Sequence, residues 1–152
     1  MVTALNVGNS ILKRAFAENI DITPMKLQKI TYFVYRDYLK STNQNLFEER
    51  FETWKYGPVL PSVYNEFKDF GSNSIKRYAT ENNGKTVYTV DEDSSPIFKK
   101  VIDSIWNTCK NYDGIYLSFI THKDGSAWSK AVEQGSSYLL NSDIREEDIS
   151  IA

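Results

Sequence analysis

The sequence predicts a mostly α fold with a small antiparallel β element, an α+β arrangement in one compact helical domain with a β-hairpin. Three observations carry that expectation. Apolar residues recur at helical spacing over residues 5–16, 27–39 and 97–109. RFETWKY, residues 50–56, alternates like a short strand. Asn82-Asn83-Gly84 is a turn signal between the β-prone runs RYAT and KTVYTV.

Each element has its own justification. Leu5, Val7, Ile11, Leu12, Ala15 and Phe16 gather on one face of a first amphipathic helix, with Lys13, Arg14 and Glu18 opposite. In the second helix Thr23 is an N-cap residue, and Pro24 takes the first helical position, where its missing N–H costs nothing. Its apolar positions from Leu27 to Leu39 occupy more than one stripe, as in a central core helix. STNQNLFEER reads as a polar connector, and RFETWKY as a strand ended by Gly57-Pro58.

Pro61 to Phe70 predicts a short helix with Val63, Tyr64, Phe67 and Phe70 at helical spacing, stopped by Gly71. The clearest helix follows Ser95 as cap and Pro96 at its first position, with Ile97, Val101, Ile102, Ile105 and Cys109 as its buried stripe. GIYLSFITHKDGSAWSKAVEQ predicts two short helices broken at THKDG. Ile115, Leu117, Phe119 and Ile120 are the apolar set before the break; Trp128, Ala131 and Val132 follow it. Ser142 is placed to cap a last turn containing Ile144, Asp148 and Ile149. With no repeat and no linker composition, residues 1–152 read as one domain.

The composition narrows the function classes. The chain is 41% hydrophobic, 25% charged and 14% aromatic, a globular balance whose aromatic excess suits either a core or a partner surface. A net charge of -2 without basic blocks argues against a non-specific nucleic-acid binder. The N-terminal stretch lacks the apolar run of a secretory signal, and no apolar run is of membrane-spanning length, so a cytoplasmic protein is expected. Cys109 stands alone among apolar neighbours and reads as a packing cysteine.

Chemistry has few seats. His122 is the one histidine, and a nucleophile-and-base reading pairs it with Ser126 or Cys109 and orients it through Asp124. No local serine-hydrolase signature accompanies it, and the bland reading is a ring hydrogen-bonded across the break between two helices. One histidine and one cysteine make a zinc site unexpected, and no glycine-rich phosphate cradle occurs, so no metal or cofactor is expected. Lys26-Leu27-Gln28-Lys29 offers a basic handle beside Tyr32, Tyr35 and Arg36 for nucleic acid, against the plainer reading of a solvated helix start.

WKYGPVLPSVY, residues 54–64, is the most constrained stretch. Gly57 permits backbone angles that side chains forbid, and Pro58 fixes the next φ, which makes a stiff corner. On residue physics Trp54 and Trp128 close a core, while Tyr56 keeps a wet end for its phenol.

Taken together, PMKLQKITYFVY at 24–35, ETWKYGPVLPSVYNEFKDFG at 52–71 and YLSFITHKDGSAWSKA at 116–131 resemble the Panacea family, the GepA or SocA-like antitoxins of phages and prophages. The positions carrying the resemblance are Lys26 to Lys29, with Gln28 between the lysines, Trp54, Tyr56, Gly57, Pro58 and Val59, and Thr121, His122 and Trp128. It implies a non-enzymatic antitoxin of a toxin–antitoxin system that binds a protein toxin encoded nearby, with one branch acting as adaptors to a Clp protease. A counter-defence factor of a mobile element is the neighbouring reading, and a small hydrolase centred on His122 the reading of another class. The resemblance implies that Trp54, Tyr56, Gly57 and Pro58 are scaffold or the rim of a shared groove, with specificity on exposed elements such as the hairpin around Asn83. The tail after Leu140 matches no adaptor feature.

Overall fold

A computed structural model describes Met1–Ala152 as seven α-helices, five of which pack against a sixth. That helix, α2 (Pro24–Thr42), touches α1 (Ala4–Glu18), α3 (Pro61–Phe67), α4 (Pro96–Cys109), α5 (Gly114–Thr121) and α7 (Asn141–Glu146); α6 (Ala127–Glu133) packs on α7. Leu27, Ile30, Tyr32, Phe33 and Val34 are fully buried on it, which is the physical meaning of apolar residues on more than one stripe. A single core cluster runs from Ala4 to Ile151.

Helix ends follow local chemistry. Thr23 Oγ1 accepts from Lys26 N at 3.2 Å, and Pro24 sits at the first helical position. Thr3 and Asn6 exchange reciprocal bonds at the start of α1, and Asp113 and Ser126 cap α5 and α6. Asn19 and Asn43 close α1 and α2 in the left-handed conformation that asparagine tolerates best among residues with a side chain.

The β element is where RFETWKY predicts it, but its outline differs. β1 (Glu52–Trp54) pairs antiparallel with β2 (Gly57–Val59) in the register Glu52↔Val59, Thr53↔Pro58, Trp54↔Gly57. Gly57-Pro58 thus begins the second strand instead of ending the first. The other edge of β1 is covered by residues 136–139: Thr53 N donates to Ser137 O, and Leu139 N donates to Phe51 O.

The hairpin expected around Asn83 is reduced to a turn. Asn82, Asn83 and Gly84 all have positive φ, but the flanking runs meet in one bridge, Glu81↔Thr86. Their backbone is satisfied by α1 instead. Asn9 Nδ2 donates to Ala79 O and Tyr88 O, Ala79 N donates to Asn9 Oδ1, and Val90 N donates to Ser10 Oγ. Two buried polar side chains of the first helix supply what a strand ladder would have supplied.

Smaller differences concern the phase and the ends of helices. In α4 Ile97 is exposed and Phe98 and Trp106 are buried, so the stripe is Phe98, Val101, Ile102, Ile105, Trp106 and Cys109. Ser95 occupies the N-cap position without a side-chain bond. α5 buries Leu117, Ser118, Ile120 and Thr121 against α2 and leaves Ile115 and Phe119 outside, and Val132 of α6 is exposed too. α7 begins after Leu140, so Ser142 lies inside it and Asp148 and Ile149 beyond it.

The acidic tail is anchored through Glu147, which is 2% exposed. Its carboxylate accepts from Tyr32 Oη, Ala127 N and Arg36 Nη1 at 2.8, 3.0 and 2.9 Å. One carboxylate therefore ties the central helix, the start of α6 and the chain's last turn together. No helix is long and apolar enough to cross a membrane.

Candidate functional site

The first turns of α2 do not lie in water. Lys26, Gln28 and Lys29 are 6%, 4% and 2% exposed, which overturns both the solvated-start reading and the basic handle. Each polar head has a backbone partner. Gln28 Nε2 donates to Leu60 O and Leu60 N donates to Gln28 Oε1, both at 3.0 Å, so the amide pairs with Leu60 as a strand neighbour would. Lys26 Nζ donates to Lys110 O and Lys29 Nζ to Pro58 O, at 2.6 and 2.9 Å. α2 thus fixes both β2 and the end of α4 by side chains alone.

Gly57 is required by this packing. Its φ is +111°, and a Cβ there would stand 2.5 Å from Thr121 Oγ1 and 3.3 Å from Lys29 Nζ. The corner is stiff because the backbone must pass directly over a buried lysine and a threonine hydroxyl.

Trp54, Tyr56 and Tyr64 stand around that corner. Trp54 is half-buried, donates from Nε1 to Glu52 Oε1 at 2.8 Å, and meets Tyr64 edge-on with ring centres 4.7 Å apart. Tyr56 is 54% exposed, and its carbonyl accepts from Ser118 Oγ of α5. Trp128 is half-buried as well, packs against the core cluster and donates from Nε1 to Trp54 O at 2.8 Å, so it braces the hairpin from the edge of the core; Trp54 itself stands outside that cluster, and the core-closing expectation holds for Trp128 alone.

These groups enclose a groove of about 450 Å³ between the start of α2, the hairpin and α3. Pro24, Met25, Trp54, Val59 and Tyr64 supply its apolar surface, and Gln28, Lys29, Lys55 and Lys68 its polar groups, with no Asp or Glu in the wall. Burial of the Lys29 ammonium, unrelieved by any carboxylate, lowers its pKa to about 7. Lys26 is lowered by burial too.

His122 lies apart from this groove, just after α5. Its ring meets Trp128 at 5.4 Å and Phe119 at 6.3 Å, both edge-on, and its Nδ1 is buried without a hydrogen-bond partner. The bond across the helix break expected of it is therefore not made. Ser126 Oγ caps α6 by accepting from Ser129 N, and Cys109 is fully buried with its thiol pushed up to about 12 by burial. Neither is a nucleophile presented to His122.

Comparison with known proteins follows these positions closely. Residues 27–129, from α2 to α6, match the model of the antitoxin SocA-like family, Panacea domain. The chain belongs to this family. It is 39% identical over 74 residues to antitoxin SocA of Caulobacter vibrioides, a match covering 49% of the chain and 39% of that protein. The chain therefore spans well under half the length of the relative it matches. No solved structure matches it.

The Panacea segment contains the groove wall from Leu27 onward, and α1 and α7 lie outside it. Of the sequence-predicted positions, Gln28, Trp54 and Tyr56 meet in the groove; Gly57 and Pro58 lie over Lys29, Trp128 braces from behind, and Lys26 and His122 stand away. Met25, Tyr64 and Lys68 belong to the wall and were not singled out. The available signal was the motif's own density: a Trp and a Tyr ten residues apart across a Gly-Pro corner.

Proposed function

We propose that the chain is a cytoplasmic antitoxin that neutralises a protein toxin by direct, stoichiometric binding, without catalysis, and that residues 1–152 act as one Panacea domain. The observation that carries this reading is membership of the antitoxin SocA-like family over residues 27–129. The 39% identity to antitoxin SocA supports it.

Two structural features agree with binding rather than turnover. His122 has no nucleophile or orienting carboxylate bonded to it. The surface instead offers large apolar side chains on rigid elements: Tyr56 on the hairpin and Ile115 and Phe119 on α5, 76% and 58% exposed, linked through the Ser118–Tyr56 bond. Exposed aromatics beside a groove are the usual anchors of protein recognition.

The test is co-expression with the neighbouring gene's product. The reading predicts rescue of growth from that product and recovery of an equimolar complex. Recovery of a Clp-type protease or a host defence protein instead of a toxin would assign the chain to the adaptor or counter-defence branch.

A further inference from the structure

We infer that the groove between α2, the β-hairpin and α3 takes a segment of the protein partner that sets an acidic side chain against the Lys29 ammonium and an aromatic or aliphatic side chain on Trp54 and Tyr64. The inference rests on the antitoxin reading for the nature of the partner and on the groove's own chemistry for the class of segment.

The charge pattern argues for a carboxylate. In a chain with more acidic than basic residues, the groove wall holds Lys29, Lys55 and Lys68 and no acid. Lys29 is 2% exposed, yet its ammonium, which has three donors, meets one protein acceptor, Pro58 O. A buried cation with unused donors and no counter-charge is costly to hold, and a carboxylate entering from the groove supplies both. The same arrangement without a ligand is unfavourable for Lys29, which burial already drives toward its neutral form.

The shape argues for a peptide. The volume, about 450 Å³, suits a short run of side chains, and the Trp54–Tyr64 pair gives a preformed apolar lip at little entropic cost. Lys55 and Lys68 are exposed and contribute long-range attraction for the acidic segment.

The test is selection of a phage-displayed library of random linear peptides on the immobilised full chain. Enriched peptides are expected to share an Asp or Glu beside an aromatic or aliphatic residue. Synthetic copies should bind Lys29→Met about thirtyfold more weakly or worse. Tyr64→Glu, a change at the exposed lip that places a carboxylate of the chain's own at the groove, should weaken them comparably even if Lys29→Met fails to fold. Lys85→Met, at the distant turn, should bind as wild type does. Enriched peptides without an acid, equal binding by both groove variants, or no enrichment overturn the inference. Self-association of the chain that Tyr64→Glu abolishes also overturns it, by placing a second copy in the groove. Toxin neutralisation undiminished in both groove variants would remove the groove inference and leave the antitoxin reading standing. Acidic peptides selected by a chain that rescues no toxin would do the reverse.

Discussion

Replacing Lys29 by methionine should abolish a rise of stability with pH that wild type shows between pH 7 and 9. The folded protein releases the Lys29 proton at about 7 because burial opposes the charge, whereas the unfolded chain holds it to the ordinary lysine value of 10.5. Between those values the unfolded state binds more protons, so stability increases as pH rises. Integrating the difference from pH 7 to 9 gives about 2 kcal/mol. Above pH 9 the Cys109 thiol, held protonated to about 12 in the fold, pulls the other way, so the window ends there. Methionine is unbranched and one atom shorter than lysine, so it keeps most of the apolar stem and removes the charge, leaving Pro58 O without its donor. Urea denaturation at pH 7, 8 and 9, followed by circular dichroism, reads the effect as the difference between the two proteins' profiles, in which shared groups cancel. Parallel profiles would refute the burial of a titrating Lys29 and with it the floor of the groove.

Other perturbations have sharp outcomes. Gln28→Ala leaves the buried Leu60 N–H without a partner, while Leu60 O keeps its bond from Tyr64 N, and should cost about 1–3 kcal/mol in chemical denaturation. Trp128→Ala should cost about 2–3 kcal/mol, below the 3–5 of a fully buried ring, because its indole is half-buried and loses one bond to Trp54 O. His122→Ala removes a ring that makes edge contacts and leaves an Nδ1 unpaired, so toxin neutralisation in a growth assay should persist. Loss of neutralisation in a folded His122→Ala protein would return the histidine to the centre of the function.

The helices were legible where their causes are local. Thr23 and Pro24 set the start of α2 through a hydroxyl and a missing N–H that need no tertiary context, and the apolar residues around α2 announced its central place. What was not legible is long-range. The two strands expected at RYAT and KTVYTV are held by Asn9, at Ala79 and Tyr88, and by Ser10, at Val90, some seventy to eighty residues earlier in the chain. Lys26, Gln28 and Lys29 have the residue types of a solvated face, and only the whole fold reveals that an all-round apolar helix leaves no such face at its start. Glu147 looked like part of an acidic tail because its partners, Tyr32, Arg36 and Ala127, come from distant segments. The aromatic corner at Trp54 was visible as a feature, but its groove needed Met25, Tyr64 and Lys68 to be brought beside it.

The most direct test of the antitoxin account is purification of the tagged chain from the cell that encodes it, with stoichiometry measured by mass spectrometry. The account predicts one near-equimolar protein whose expression alone halts growth and whose effect the chain reverses. Recovery of no stoichiometric protein, together with turnover of a substrate that His122→Ala abolishes, would contradict it.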